Sequence, residues 1–327
     1  MKNTRDDVAL SEVIGFVLLL GLIVAALSLY MMYVVPISGR DAEIAHMNRI
    51  NEQFTDYKLT LDNIRTSLLV NNLSPVITST SITLGTGGGN TMASGFFVYL
   101  MKPIASPATL SINVTGDTFD IDSSSYHAYK TALVDFPLNI TAIQYSSSNH
   151  YWIQQQYSYQ LGGVFLAQDD GVTNLIPPLI SITNAVDLTN PANKSIVVNI
   201  VPVQVVGGGS MSGNGPVRVD TRQRTLPKYN ISTDQYQQNT WVNLSFSSAD
   251  NATAAMWLNI FKGIDARANL DGNARIFGSV WNPVTQRTMV FIYITGTNSD
   301  PNWNDVSLYV QHAEYYVAFN NIASGVT

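Results

Sequence analysis

The 327-residue chain contains no cysteine. Disulfides, thiolate metal centres and a cysteine nucleophile are therefore excluded, while the compartment stays open, because a protein without thiols can live on either side of a membrane. Charge is the second scarcity. Asp, Glu, Lys and Arg supply 12% of the residues, where a soluble domain carries roughly 25%. A net charge of −6 and a sequence pI near 5.1 leave no basic field to hold nucleic acid and no polybasic patch for anionic lipid. Glutamate is rare as well: Glu12, Glu43 and Glu52 lie early in the chain and Glu314 stands alone near its end, so a paired-carboxylate glycosidase would have to rely on Asp. The four histidines, at positions 46, 127, 150 and 312, are isolated, with no H-x-x-x-H zinc spacing and no G-x-S-x-G elbow. His312 and Glu314 would share one face of a strand, which reads as the polar face of an edge strand before it reads as an acid/base pair. Neither enzymatic activity nor a cofactor is expected.

The missing charge is unevenly spread. Residues 1–70 hold 14 charges, residues 71–216 hold 10 and residues 217–327 hold 16. None falls between Glu12 and Arg40, and Val13 to Val35 is a run of 23 residues that is apolar apart from Ser28, two Gly and two Tyr. At about 1.5 Å per helical residue this run matches a hydrocarbon core of roughly 30 Å. Tyr30 and Tyr33 fall near its C-terminal end, where aromatic rings favour the headgroup level. Pro36 is expected to close or kink the helix. A cleaved secretory signal fits less well, because the run exceeds a typical h-region and ISGRDAEI offers no small-x-small cleavage pattern.

The residues Asp6-Asp7-Val8-Ala9-Leu10-Ser11-Glu12-Val13-Ile14-Gly15, leading straight into an apolar helix, resemble the N-terminus of archaeal type IV pilins, in which a brief charged leader precedes an A-V-S-P-V-I-G type start. The likeness covers about 35 residues. It implies cleavage by a prepilin peptidase between Ala9 and Leu10, handling by a pilus assembly machinery, and a helix that becomes the core of a homopolymeric extracellular filament, with the membrane as its partner before assembly. In that frame Val13, Ile14, Gly15, Phe16, Leu20, Leu27 and Pro36 belong to the filament or membrane helix. Glu12 is then the candidate for axial register, pairing with a neighbour's new α-amino group. Glu12 also has a simpler reading, as an interfacial carboxylate near the positive end of its own helix. Val8 stands where a basic residue commonly precedes the small one, and Glu12 stands where the proline does. An uncut relative would remain a single-pass, membrane-anchored surface protein.

After Pro36 a second helix is expected to residue 70, with Ser38 and Asp41 as a capping box. Met47, Ile50, Phe54, Tyr57, Leu61, Ile64 and Leu68 recur at alternating intervals of three and four, a heptad seam. Such a seam packs on identical helices or on the chain's own β domain, and in pilin-like folds both can hold at successive levels.

From residue 71 the period changes to β. Short segments rich in β-branched and aromatic residues, among them 76–84, 95–101, 108–114, 129–136, 139–145, 151–161, 195–206, 217–225, 241–247, 275–281, 287–295 and 306–319, are punctuated by Gly, Pro, Asn and Ser. The expected fold is a long apolar then amphipathic N-terminal helix followed by an antiparallel β-sandwich ectodomain with one packed helix, from Ala249 to Lys262, capped by Ser248 and stopped by Gly263. The domain map is a leader at 1–9, a membrane or filament-core helix at 10–36, a stalk at 37–70 and a β ectodomain at 71–327. The glycine-rich stretch 207–216 is either a subdomain boundary or a hairpin tip, and it lacks the Lys-Ser or Lys-Thr of a phosphate loop.

Two acidic segments, Asp300-Pro301-Asn302-Trp303-Asn304-Asp305 and Asp117/Asp120/Asp122, offer oxygen ligands, but neither has the Gly turn and terminal Glu of an EF-hand. Asx turns account for both, and Asp300, Asn302, Asn304 and Asp305 are only weak calcium candidates. Seven N-x-[ST] sequons, at Asn72, Asn113, Asn139, Asn193, Asn230, Asn243 and Asn251, barely exceed the number that chance would place, roughly five; they permit glycosylation without demonstrating it. The expected location is the cell envelope, as a membrane-anchored precursor with an extracellular C-terminal domain, and adhesion is the expected role.

Overall fold

The computed structural model describes residues 4–71, 77–86, 102–124, 136–169, 171–186, 194–223, 236–268, 275–296 and 306–321. Helix α1 (Thr4–Leu29) passes through one π-helical segment (Tyr30–Val34) into α2 (Val35–Asn71) without a break. Pro36 therefore neither stops the rod nor starts a new helix. Proline cannot donate an i→i−4 bond, and its ring crowds the carbonyl a turn earlier. The wider turn absorbs this, with the Val35 N–H donating to the Tyr30 carbonyl. The Ser38/Asp41 capping box does not form, because no helix end exists there; Ser38 Oγ instead donates back to the Val35 carbonyl at 3.0 Å.

Beyond the rod the chain is β-rich, as its composition predicts, and the pairing is predominantly antiparallel. One sheet runs β14 (Arg275–Asn282), β15 (Arg287–Thr295), β13 (Trp241–Ser248), β2 (Ala108–Ser123), β3 (Leu138–Ser147), β4 (Gln155–Gln160), β5 (Gly163–Gln168) and β6 (Gly171–Ile176), with β10 (Gly209–Gly213) also on β2. A second orders β1 (Ile77–Thr83), β11 (Pro216–Gln223), β17 (Ala313–Asn321) and β9 (Val203–Gly207). A third orders β12 (Tyr236–Asn239), β16 (Val306–Val310), β8 (Lys194–Ile200) and β7 (Ile180–Val186). The stretches 95–101 and 129–135, read as strands from their composition, lie outside the described residues.

Two pairs, β8 with β16 and β9 with β17, are parallel, which a purely antiparallel sandwich does not contain. The stretches 195–206 and 306–319, each read from sequence as one strand, are interrupted at the same level. Pro202 has no N–H to give a ladder, and opposite it Gln311 and His312 leave the strand. The association continues across the interruption through Gln311 N–H to Ile200 O at 2.9 Å and Ala313 N–H to Pro202 O at 3.0 Å. Side by side, the two stretches pass from the third sheet into the second.

Two hydrophobic clusters result. One gathers Phe119, Leu138, Val198, Leu244, Ile292 and Leu308 around Trp257 of helix α3 (Asn251–Ala268). The other gathers Leu110, Tyr145, Tyr159, Val205 and Tyr315 around the seam of α2. Strands β2 and β3 contribute to both. At the junction β2 shifts register against β3 between Val114 and Thr118, where Gly116 takes φ +81, a bulge that bends the strand from one core to the other.

Two local features differ from the sequence reading. The packed helix starts at Asn251 and runs through Gly263 to Ala268. Asp250 is its cap, its carboxylate accepting the N–H groups of Ala252 at 3.2 Å and Thr253 at 2.9 Å, while Ser248 Oγ accepts the Asp250 N–H. Gly263 does not stop it because Ile264 and Ala268 continue the buried stripe. The glycine-rich stretch 207–216 is built into a sheet: its residues Gly209–Gly213 pair with β2 as strand β10.

Candidate functional site

Among the described residues the longest run of exposed apolar side chains lies on the N-terminal rod. From Val13 to Val34 every residue is open to solvent, with Phe16, Leu18 and Leu22 at 66%, 70% and 72% exposure. Val13, Ile14, Gly15, Leu20 and Leu27 are exposed with them. The apolar residues go all the way round this helix, so no single face marks a partner; such a helix is covered on all sides, by lipid or by other helices. It is long and apolar enough to cross a membrane. Ala9, Leu10 and Glu12 lie within α1, which begins at Thr4 with no boundary at residues 9–10; their side chains fall outside the described residues.

The change at Val35 is abrupt: Val35 is 8% exposed, and from there α2 presents one face to the β head. Gly39 lies one turn further on the same face, against the ring of Tyr151, where a Cβ would overlap ring carbons. Another turn on, the buried Glu43 carboxylate accepts the N–H of His150 at 2.7 Å and of Tyr151 at 2.9 Å, together with the Ser106 hydroxyl. Arg40 stacks over Trp152, its guanidinium carbon 4.6 Å from the ring centroid. The β3–β4 loop thus grips the first two turns of the stalk.

Above the grip, His46 Nε2 lies 2.9 Å from Tyr145 Oη and 3.3 Å from the Leu84 carbonyl. Burial lowers the pKa of His46; the bond to the Leu84 carbonyl opposes this and Arg49 adds to it. Then comes the seam. Met47, Ile50, Phe54, Tyr57, Leu61 and Ile64 are all buried against the β head. Of the packings left open by the spacing, the structure shows the one on the chain's own sheets. The Leu68 side chain lies outside the described residues.

Tyrosine hydroxyls pin the helix to the sheets. Tyr57 Oη and Thr221 Oγ1 are 2.8 Å apart, and Tyr315 donates to the Leu61 carbonyl at 2.9 Å. Burial pushes the phenol pKa of both well above its usual value, so both stay protonated. Neither Glu43 nor His46 has a role in the sequence-based reading. The available signal is their position: Glu43 lies four residues before Met47, and His46 adjoins it, so both are polar residues on the apolar stripe.

The other candidates are scattered. Asn113, Asn139 and Asn251 are exposed, and Asn243 is half-buried, so sugar on Asn243 would meet the sheet surface. The side chains of Asn72, Asn193 and Asn230 lie outside the described residues, as do those of His127, Asp300, Asn302, Asn304 and Asp305. Asp117 pairs with Arg287 at 3.5 Å rather than joining Asp120 and Asp122. Burial raises its pKa, against hydrogen bonds from Ser248 and Thr115. Among the described residues no group of three or more His, Asp or Glu side chains is arranged to hold a metal ion. A cleft of about 410 Å³ between the β14–β15 turn and the β2 bulge contains Arg287, whose donors are already engaged by the Ser247 hydroxyl at 3.1 Å and carbonyl at 2.6 Å.

Comparison with known proteins adds no relative: no family model, no curated protein and no solved structure matches this chain.

Proposed function

We propose that the chain is a structural subunit of an archaeal type IV pilus-like filament, held in the membrane before assembly and packed through its N-terminal helix afterwards, with the β heads outward in an adhesive role. One observation carries this reading: an apolar helix whose residues Val13–Val34 are all exposed, continuous with a second helix whose apolar seam is used by its own head. Each buried apolar square ångström stabilises by about 25 cal/mol, so the uncovered rod is a strong drive toward lipid or toward neighbouring rods. The leader resemblance around Ala9 and Leu10 favours neighbouring rods as the final state.

The second reading is an unprocessed, single-pass surface protein. One feature favours it: α1 runs unbroken from Thr4 across residues 9–10. N-terminal sequencing of the native protein separates the two. A start at Leu10, with filaments visible by electron microscopy of the cell surface, supports the subunit; a start at Met1 with no filaments sinks it and leaves the anchor.

A further inference from the structure

We propose that the base of the head is a membrane-contacting collar: Ile104, Trp152 and Ile153, with the cations Arg40 and Lys102, rest in the lipid headgroup layer while the chain is anchored. The proposal rests on reading the apolar rod as a membrane span, and it adds a second, separate contact made by the β head.

The level of the collar follows from the rod. Unbroken apolar exposure ends at Val34, packing begins at Val35, and Ile37 is still 62% exposed. A bilayer of about 40–45 Å has a hydrocarbon core of about 30 Å, so each headgroup layer is about 5–8 Å deep. At about 1.5 Å per residue, Gly39 and Arg40 stand about 6–8 Å beyond Val35. The head grips the helix at these two residues through Tyr151 and Trp152. Whatever hangs from that grip therefore sits at headgroup depth, not in bulk water.

What hangs there is suited to that layer. The Tyr151 hydroxyl accepts the Ile104 N–H at 3.2 Å, which ties a second loop to the same level. Ile104 is 66% exposed and Ile153 40% exposed, so both loops present branched aliphatic surface at the end of the apolar rod. Trp152, half-buried under Arg40, supplies the ring that favours the boundary between apolar and wet phases. Lys102 and Arg40 are exposed and able to reach lipid phosphate. Asp41 is exposed at the same level and Glu43 is committed to backbone donors. The exposed charges thus leave a single net positive charge, so the aliphatic and aromatic residues carry most of the contact and its salt dependence is weak.

The absence of native cysteine makes the test direct. Four single-cysteine variants of the full chain, Leu20→Cys, Asn63→Cys, Ile104→Cys and Ile153→Cys, would carry a nitroxide label in phosphatidylcholine/phosphatidylglycerol vesicles. Collision rates with dioxygen, which concentrates in lipid, and with a water-soluble nickel complex then report depth. All four parent residues are exposed, and Asn63 stands about 42 Å beyond Val35 along the helix. Expected is a Leu20 label reached by dioxygen alone, an Asn63 label reached freely by nickel, and labels at 104 and 153 with nickel collision several-fold below that of Asn63 and dioxygen collision above it. Labels at 104 and 153 that match Asn63 overturn the collar while leaving the span intact. Labels there that are shielded from both reagents place protein, such as a second copy, on the patch and overturn it as well. A Leu20 label open to nickel removes the span reading, and the collar falls with it.

Discussion

The Glu43 carboxylate is fastened to the backbone of Tyr151, whose N–H donates to Oε2 at 2.9 Å. The adjacent His150 N–H donates to Oε1 at 2.7 Å, and the Ser106 hydroxyl binds the same oxygen. A buried anion is costly unless its lone pairs are filled, and here donors from two loops of the head fill those of a carboxylate carried by the helix. Hydrogen bonds to a charged group contribute about 1.5–3 kcal/mol each, so this carboxylate is the principal polar fastening between stalk and head. Glu43→Gln turns one acceptor oxygen into an NH₂ that faces a donor. Thermal unfolding of the full chain in detergent is expected at a markedly lower temperature, with a loss of about 2–3 kcal/mol. Amide exchange at His150 and Tyr151 should rise with it. Unchanged unfolding and exchange would show that the grip does not depend on the charge.

Gly39 predicts a reversal of the usual helix rule. In a free helix Gly→Ala gains about 1 kcal/mol from propensity. Here the added methyl would enter the Tyr151 ring, and overpacking costs typically about 1–3 kcal/mol. Gly39→Ala is expected to destabilise the head–stalk junction, whereas Gly39→Ala in a Tyr151→Ala background is expected to be neutral or stabilising. A double-mutant cycle in urea measures the coupling; additive effects would mean that the ring gives way freely.

Two histidines set a pH response. Burial holds His46 below its ordinary value of 6.5, and the half-buried His312 is lowered by the same cause, with Glu314 opposing. For a base whose folded pKa is depressed, the unfolded chain binds the extra proton first, so stability rises with pH through that window. The contribution is complete above about 6.5 and is lost as pH falls from there through the lower folded values. Urea unfolding is expected to show declining stability from neutral pH into the mildly acidic range. His46→Gln, which keeps a polar group for Tyr145, should flatten the decline without removing the share of His312. A profile as steep in the variant as in the parent would acquit His46.

Several features were legible in the sequence because a single rule determines each. The apolar run from Val13 needs only length and hydropathy, and the seam from Met47 to Ile64 needs only its spacing. What the seam packs against was not legible, since an isolated helix carries the same stripe whether a sheet or a twin covers it; Tyr145 and Tyr159 on the neighbouring strands β3 and β4 and Tyr315 on the distant β17 supply the answer. The parallel pairs were hidden for a related reason. Pro202 and the Gln311-His312 break look like local irregularities in two separate strands, and only their juxtaposition shows that one accommodates the other. Strands β5 to β7 escaped because Gly162, Gly171, Pro177 and Pro178 read as loop punctuation, although hairpin pairing makes strands of the residues around them. Pro36 misled most, because a proline that normally ends a helix is here absorbed by a π turn.

Removing residues 1–34 tests whether the rod is needed by the head. No described residue of that segment belongs to either hydrophobic cluster, and among the described residues the first buried one is Val35. The truncated chain is therefore expected to fold, keeping a β-dominated circular dichroism spectrum and a cooperative unfolding transition in detergent like that of the full chain. What it loses is stable flotation with vesicles. A second cut, removing residues 1–50, takes away Gly39, Glu43, His46, Met47 and Ile50 as well, and with them the β3–β4 grip and the first turns of the seam. Truncating a single buried Met or Ile side chain costs about 2–5 kcal/mol, and losing Glu43 leaves the His150 and Tyr151 N–H groups unpartnered. The shorter chain should therefore unfold at room temperature or fail to express in soluble form. Similar stability for the two truncations would mean that the head is complete without its stalk, and that the buried face of α2 serves attachment rather than folding.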